Sequence, residues 1–204
     1  MRLAEVVPQH KLMPLILPDS VAQVVEDASS YREAGFPYVE VVVRSDCAIE
    51  AIAQVRRQMP DLHVGAGTIL TLDMAQEALD AGANFLVSPG TDSVILDFAK
   101  THNLEMIPGI LSPTEVAIGL RYGCMIQKFF PAEPDGLEHL SALGSPYTHT
   151  GVKMVCGSKI VKENAPAYLK HPLVAAVICD WLIPLRGRAL REELAVTKGW
   201  LKSL

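Results

Sequence analysis

The sequence predicts an α/β fold, a (β/α)8 TIM barrel formed as a single compact domain over residues 1–204, and three observations carry that prediction. Short apolar runs rich in Val and Ile alternate along the whole chain with helical patterns, the signature of parallel strands joined by crossover helices. The second of these runs, Tyr38 to Arg44, sends Val39, Val41 and Val43 to one face and Glu40, Val42 and Arg44 to the other. That suits a strand packed under helices on one side and facing a barrel interior on the other. Finally, eight strand and helix units in 204 residues fit the short end of the barrel's size range. An open doubly wound sheet is the other arrangement the alternation allows.

The units follow in order. The first strand is expected at Leu12 to Leu17, and Pro18 and Asp19 then open a helix with Val21, Val24, Val25 and Ala28 at helical spacing and Gly35 as its stop. After the second strand, Asp46 is expected to cap a helix that carries Ile49, Ile52 and Val55 and ends at Met59-Pro60. The third strand is His63 to Gly67. Thr71 starts the next helix, which stops at Gly82, and the fourth strand, Phe85 to Ser88, meets Pro89-Gly90. A helix with Val94, Ile95 and Phe98 leads to the fifth strand, Glu105 to Ile107, which runs into Pro108-Gly109. Ser112-Pro113-Thr114-Glu115 places a cap, a proline at the first helical position and a glutamate three residues past the cap, so a helix starts there. The sixth strand holds Lys128, and Asp135 is expected to open the helix after it, which runs to Gly144. Val152 to Cys156 and Val174 to Cys179 are the last two strands, and a terminal helix occupies the chain from about Arg188.

Composition excludes several classes of function. A net charge of -5 with both signs scattered gives neither a nucleic-acid footprint nor a membrane-surface patch. No stretch is long and apolar enough to span a bilayer, and residues 1–10 lack a signal peptide's apolar run, so a cytoplasmic protein is expected. Cys47, Cys124, Cys156 and Cys179 show no paired spacing, which fits reduced cysteines. The six histidines form no HxH or HExxH pattern, and no metal is expected. Gly65-Ala66-Gly67 lacks the third glycine of a dinucleotide fingerprint, so no nucleotide cofactor is expected either. The small residues there are read as room for a ligand near the backbone. Trp181 and Trp200 are assigned to packing or subunit contact.

The chemistry is expected around Lys128. The segment Cys124 to Glu133 places this lysine among Ile126, Phe129 and Phe130, where desolvation favours the neutral amine, the form that attacks a carbonyl. A lysine snorkelling from a sheet edge is the alternative. On the second strand Glu40 and Arg44 share the interior face, where charges are tolerated when paired or used, and a structural ion pair is the alternative there. In a barrel the C-terminal strand ends converge, which would bring Glu40, Arg44, Thr68, Pro89, Lys128 and Ser158 to one mouth. An amine, a carboxylate, a guanidinium fork and a hydroxyl are the parts needed to process an α-keto acid through a Schiff base.

Val39-Glu40-Val41-Val42-Val43-Arg44-Ser45-Asp46-Cys47-Ala48, Val64-Gly65-Ala66-Gly67-Thr68, Ser88-Pro89-Gly90, Ile107-Pro108-Gly109 and Lys128-Phe129-Phe130-Pro131-Ala132-Glu133 resemble, in order, the class I 2-keto-3-deoxy-6-phosphogluconate (KDPG) and 4-hydroxy-2-oxoglutarate (KHG) aldolase family. The resemblance implies a (β/α)8 barrel, commonly a homotrimer, that uses no cofactor and releases pyruvate and an aldehyde from a 2-keto acid. By it, Lys128 is the Schiff-base lysine, Glu40 the general acid and base, Arg44 and Thr68 the carboxylate binders, and Pro89 and Phe130 parts of the pocket wall. Gly157 and Ser158 fall where the substrate's far end is held. KDPG, cleaved to pyruvate and glyceraldehyde 3-phosphate, is the substrate it points to first; KHG or an unphosphorylated 2-keto acid is the alternative.

After Glu133 the chain departs from the family pattern. Thr-Gly-Gly and Gly-Gly-Ser segments are replaced by Cys156-Gly157-Ser158 and Cys179-Asp180-Trp181, so a carboxylate stands where backbone amides would hold a phosphate. Two other functions remain open at this stage: a sugar-phosphate decarboxylase or isomerase working through an enediolate or enolate, and a barrel that binds a small acid without catalysis.

Overall fold

Period-two strands and capped amphipathic helices build what the alternation predicts. The computed structural model of the protein describes residues 2–133 and 136–203; Asp135, expected to open a helix, lies outside the described residues. Its strands are β1 (Leu15–Ile16), β2 (Tyr38–Val42), β3 (His63–Gly67), β4 (Phe85–Val87), β5 (Glu105–Ile107), β6 (Gly109–Ile110), β7 (Ile126–Phe129), β8 (Lys153–Cys156) and β9 (Val174–Val177). The helices are α1 (Leu3–His10), α2 (Val21–Glu33), α3 (Ala48–Gln58), α4 (Leu72–Asp80), α5 (Ser93–Thr101), α6 (Pro113–Arg121), α7 (Gly136–Gly144), α8 (Ala165–Lys170) and α9 (Gly187–Ser203).

All pairing is parallel, in two sheets, β1 to β5 and β6 to β9. They meet along two seams, and together they make the (β/α)8 barrel. At one, the chain itself passes from β5 to β6 through Pro108, whose carbonyl accepts from Lys128 N at 2.8 Å. The fifth barrel strand, expected to stop at Ile107, therefore continues past a proline that cannot donate to the ladder. At the other, Leu12 bridges Val177, with Met13 N donating to Val177 O at 2.9 Å and Val177 N to Lys11 O at 3.1 Å. The first strand is thus shorter as a ladder than the expected Leu12 to Leu17, because its first residues are spent on closure.

The core has two shells. Outside the sheet, Val39, Val41, Val64, Ala66 and Leu86 pack under the helices. Inside it, Tyr38, Phe85, Val87, Ile107, Ile126 and Val155 fill the lower barrel, and Leu3 and Val7 of α1 close it from below. The α1 helix was not foreseen; both its buried residues lie one turn apart, and the Glu105 carboxylate accepts from Leu3 N at 3.1 Å.

Capping follows sequence with two corrections. Ser112 and Glu115 form the expected capping box, and Thr71 accepts from Met74 N. At α2, expected to open at Pro18 and Asp19, the cap is Ser20, accepting from Gln23 N; Asp19 N donates to Gln23 Oε1 at 2.9 Å and the Asp19 carboxylate pairs with Arg186 at 3.0 Å. At α3 the N-cap is Cys47 with no side-chain cap bond, and not Asp46, because Ala48 N already donates to Ser45 O in a tighter turn. Trp181 and Trp200 pack edge to face at 5.9 Å within the chain. Among the described residues no helix is long and apolar enough to cross a membrane.

Candidate active site

The strand ends converge as a parallel barrel requires. A cleft of about 370 Å³ opens at the C-terminal mouth, lined by Glu40, Val42, Arg44, Thr68, Pro89, Lys128, Phe130, Ser158 and Asp180 with Leu15, Leu17, Ile178 and Ile183. Of the expected site residues, Lys128, Glu40, Arg44, Thr68, Pro89, Phe130 and Ser158 are thus brought together. Gly157 is not in the lining: it sits behind the wall, where its N–H donates to Phe129 O and its carbonyl accepts from Ala132 N.

Lys128 lies on β7 and Glu40 on β2, elements of different sheets, yet their side chains meet across the barrel. Lys128 Nζ is 3.8 Å from Glu40 Oε1, and the residues are 8 % and 1 % exposed. The amine also stands 5.0 Å from the centre of the Phe130 ring. Glu40 Oε1 has no hydrogen-bond partner in the described structure. A buried carboxylate left that way is costly unless something will use it.

The room for Glu40 comes from β3. A methyl group on Gly67 would lie 2.2 Å from Glu40 Oε1, and one on Gly65 would lie 2.1 Å from the Phe85 ring. The two glycines were read from sequence as room for a ligand; the chain's own side chains fill that space. Gly109 has a similar duty on β6, opposite Lys128 in the register, since a methyl group there would lie 2.1 Å from Pro89 O.

Strain gathers at the same mouth. Thr68, Ser158 and Lys159 have φ of 62°, 83° and 57°, a left-handed backbone that is unusual without glycine and least expected for a β-branched threonine. Of the hydrophobic wall, Leu15, Leu17, Ile178 and Ile183 escaped the sequence reading. Leu15 and Leu17 carried a signal, two residues apart on one face of the first strand.

An amine beside a carboxylate in a mostly apolar pocket, with a guanidinium at its edge, can condense with a ketone, shuttle a proton and hold a carboxylate. A parallel barrel with that equipment belongs to the class of carbonyl-processing lyases. The family model for KDPG and KHG aldolase matches residues 3–193, and the chain belongs to that family. It is 36% identical over 194 residues to the 2-dehydro-3-deoxy-phosphogluconate aldolase of Treponema pallidum, covering 95% of this chain and 91% of the relative. The solved 2-keto-3-deoxy-6-phosphogluconate aldolase of Zymomonas mobilis superposes with a TM-score of 0.86 at 30% identity, covering 97% of this chain and 95% of that one. The Legionella pneumophila KDPG aldolase, solved with pyruvate captured as a covalent carbinolamine intermediate, has a TM-score of 0.84 at 27% identity, covering 98% and 96% of the two chains.

Proposed function

We propose that the protein is a class I aldolase that cleaves KDPG to pyruvate and glyceraldehyde 3-phosphate, with Lys128 as nucleophile and Glu40 as acid and base. The observation that carries this is the buried approach of the Lys128 amine to the Glu40 carboxylate inside a ligand-sized cleft. Lys128 in its free-amine form, its proton given up to solvent, adds to the C2 carbonyl to give a carbinolamine. The carbinolamine hydroxyl takes up a proton and leaves as water, which yields an iminium and keeps Glu40 a carboxylate. Glu40 then takes the proton of the C4 hydroxyl, the C3–C4 bond breaks, and its electron pair moves into the iminium, leaving an enamine and the free aldehyde. Protonation of the enamine at C3 and hydrolysis of the resulting imine release pyruvate and restore the lysine. Arg44, with Thr68 beside it, holds the substrate carboxylate, and a bidentate guanidinium grip would fix which face of C2 meets the amine. Phe130 and Pro89 wall the reacting carbon, and Ser158 marks the aldehyde end, backed by Gly157.

Incubation with pyruvate and borohydride is expected to add the mass of one reduced pyruvate per chain, and absence of any gain would refute the Schiff-base route. The chain acts as one barrel domain over residues 1–204, working in the cytoplasm. A homotrimer is the assembly we propose, as the family resemblance implies. Light scattering at micromolar concentration is expected to give three times the monomer mass; a monomer peak would reject it.

A further inference from the structure

We infer that Asp180 makes the aldehyde end of the cleft unselective for phosphate, so that an unphosphorylated 2-keto-3-deoxy acid is cleaved at least as efficiently as its 6-phosphate. This rests on the aldolase reading above. With the substrate carboxylate at Arg44 and C2 at Lys128, the rest of the substrate extends away from β2 and β3 towards the wall formed by Ser158, Ile178, Asp180 and Ile183. Ser158 on that wall and Lys159 after it both adopt a left-handed backbone, and the N–H of Lys159 donates to Asp180 Oδ2 at 2.8 Å. Backbone amides presented by such turns are anion donors. Here the chain supplies its own anion. Asp180 is held in place by its own N–H, which donates to Ile160 O at 3.0 Å.

Two of the nearby cations are already engaged. Lys162 pairs with Glu193 at 2.6 Å and lies over the Trp181 ring. Arg186 is engaged by Asp19 and Asp27 and donates to the carbonyls of Leu17, Ile183 and Leu185. Lys159 brings its backbone N–H to Asp180, while its side chain is exposed outside the cleft lining. Among the described lining residues the positive charges are Arg44 and Lys128, both assigned to the keto-acid end, and Asp180 is the charge on the aldehyde side. Burial pushes the Asp180 carboxyl above its usual range, with the Lys159 N–H pulling it back in part. A phosphate dianion entering there meets like charge and an amide already taken, whereas a terminal hydroxyl can donate to the same carboxylate.

The test compares kcat/KM for KDPG and for its dephosphorylated counterpart in the wild type, in Asp180→Asn and in Asp180→Ser, with borohydride trapping of pyruvate on each. A wild-type ratio of phosphorylated to unphosphorylated at or below one is expected, rising about tenfold or more once the charge is removed, the scale of one close like-charge contact. A wild type that traps pyruvate but prefers the phosphate tenfold or more, or a ratio unmoved in both variants, overturns this inference alone. Failure of the wild type to trap pyruvate or cleave either substrate overturns the aldolase reading and this inference with it.

Discussion

Lys128→Ala is expected to abolish the pyruvate adduct and to lower kcat for cleavage on the order of 10⁴-fold or more, as deletion of a covalent nucleophile does. Among the described residues that line the cleft Lys128 is the one amine, so nothing else there can form the iminium that accepts the electrons of the breaking bond. The alanine variant also leaves the Glu40 carboxylate, 1 % exposed, without its cation. Removing one partner of a buried pair destabilises by about 3–5 kcal/mol, so a loss of activity could be confused with unfolding. Lys128→Arg separates the two. Its guanidinium keeps the charge opposite Glu40 but stays protonated and cannot add to a carbonyl. Circular dichroism melts near the wild type together with an absent adduct are the expected result for the arginine variant. An adduct persisting in either variant would place the nucleophile elsewhere.

The site was legible to the extent that strand periodicity encodes it. Once Tyr38 to Val42 is a strand, alternation alone puts Glu40 and Val42 on one face, and barrel geometry brings that face to Lys128. What escaped depends on contacts between distant segments. Gly67 makes room for Glu40 only because β2 and β3 pair in one particular register, Val42 against Gly67. Asp180 was visible as a misplaced charge, but its bond to the amide of Lys159, 21 residues earlier, comes from the packing of two loops. Likewise Pro108-Gly109 reads locally as a turn, and only the ladder with β7 shows the strand resuming at Gly109. The α1 helix has eight residues with Pro8 inside, too little local signal to distinguish it from an unstructured tail; burial of Leu3 and Val7 under the barrel holds it.

Glu40→Gln is expected to keep pyruvate capture while cutting the rate of cleavage about 10²- to 10⁴-fold, the usual worth of a positioned general base. The amide fills the same space above Gly67 and leaves the backbone of β2 untouched, where Glu40 N donates to Pro14 O at 2.8 Å. Lys128 would still reach a carbonyl, but no group at that end of the cleft could take the C4 hydroxyl proton. The other lining carboxylate, Asp180, is placed on the loop after β9 and is occupied by Lys159 N. The variant therefore separates two duties that the wild-type pair performs together. Borohydride trapping reports the first, and aldehyde release followed by a coupled dehydrogenase reports the second. If both were lost in equal measure, Glu40 would be needed to free the lysine as well as to break the bond. Cleavage at the wild-type rate would remove it from proton transfer altogether and leave its burial beside Lys128 as a structural ion pair.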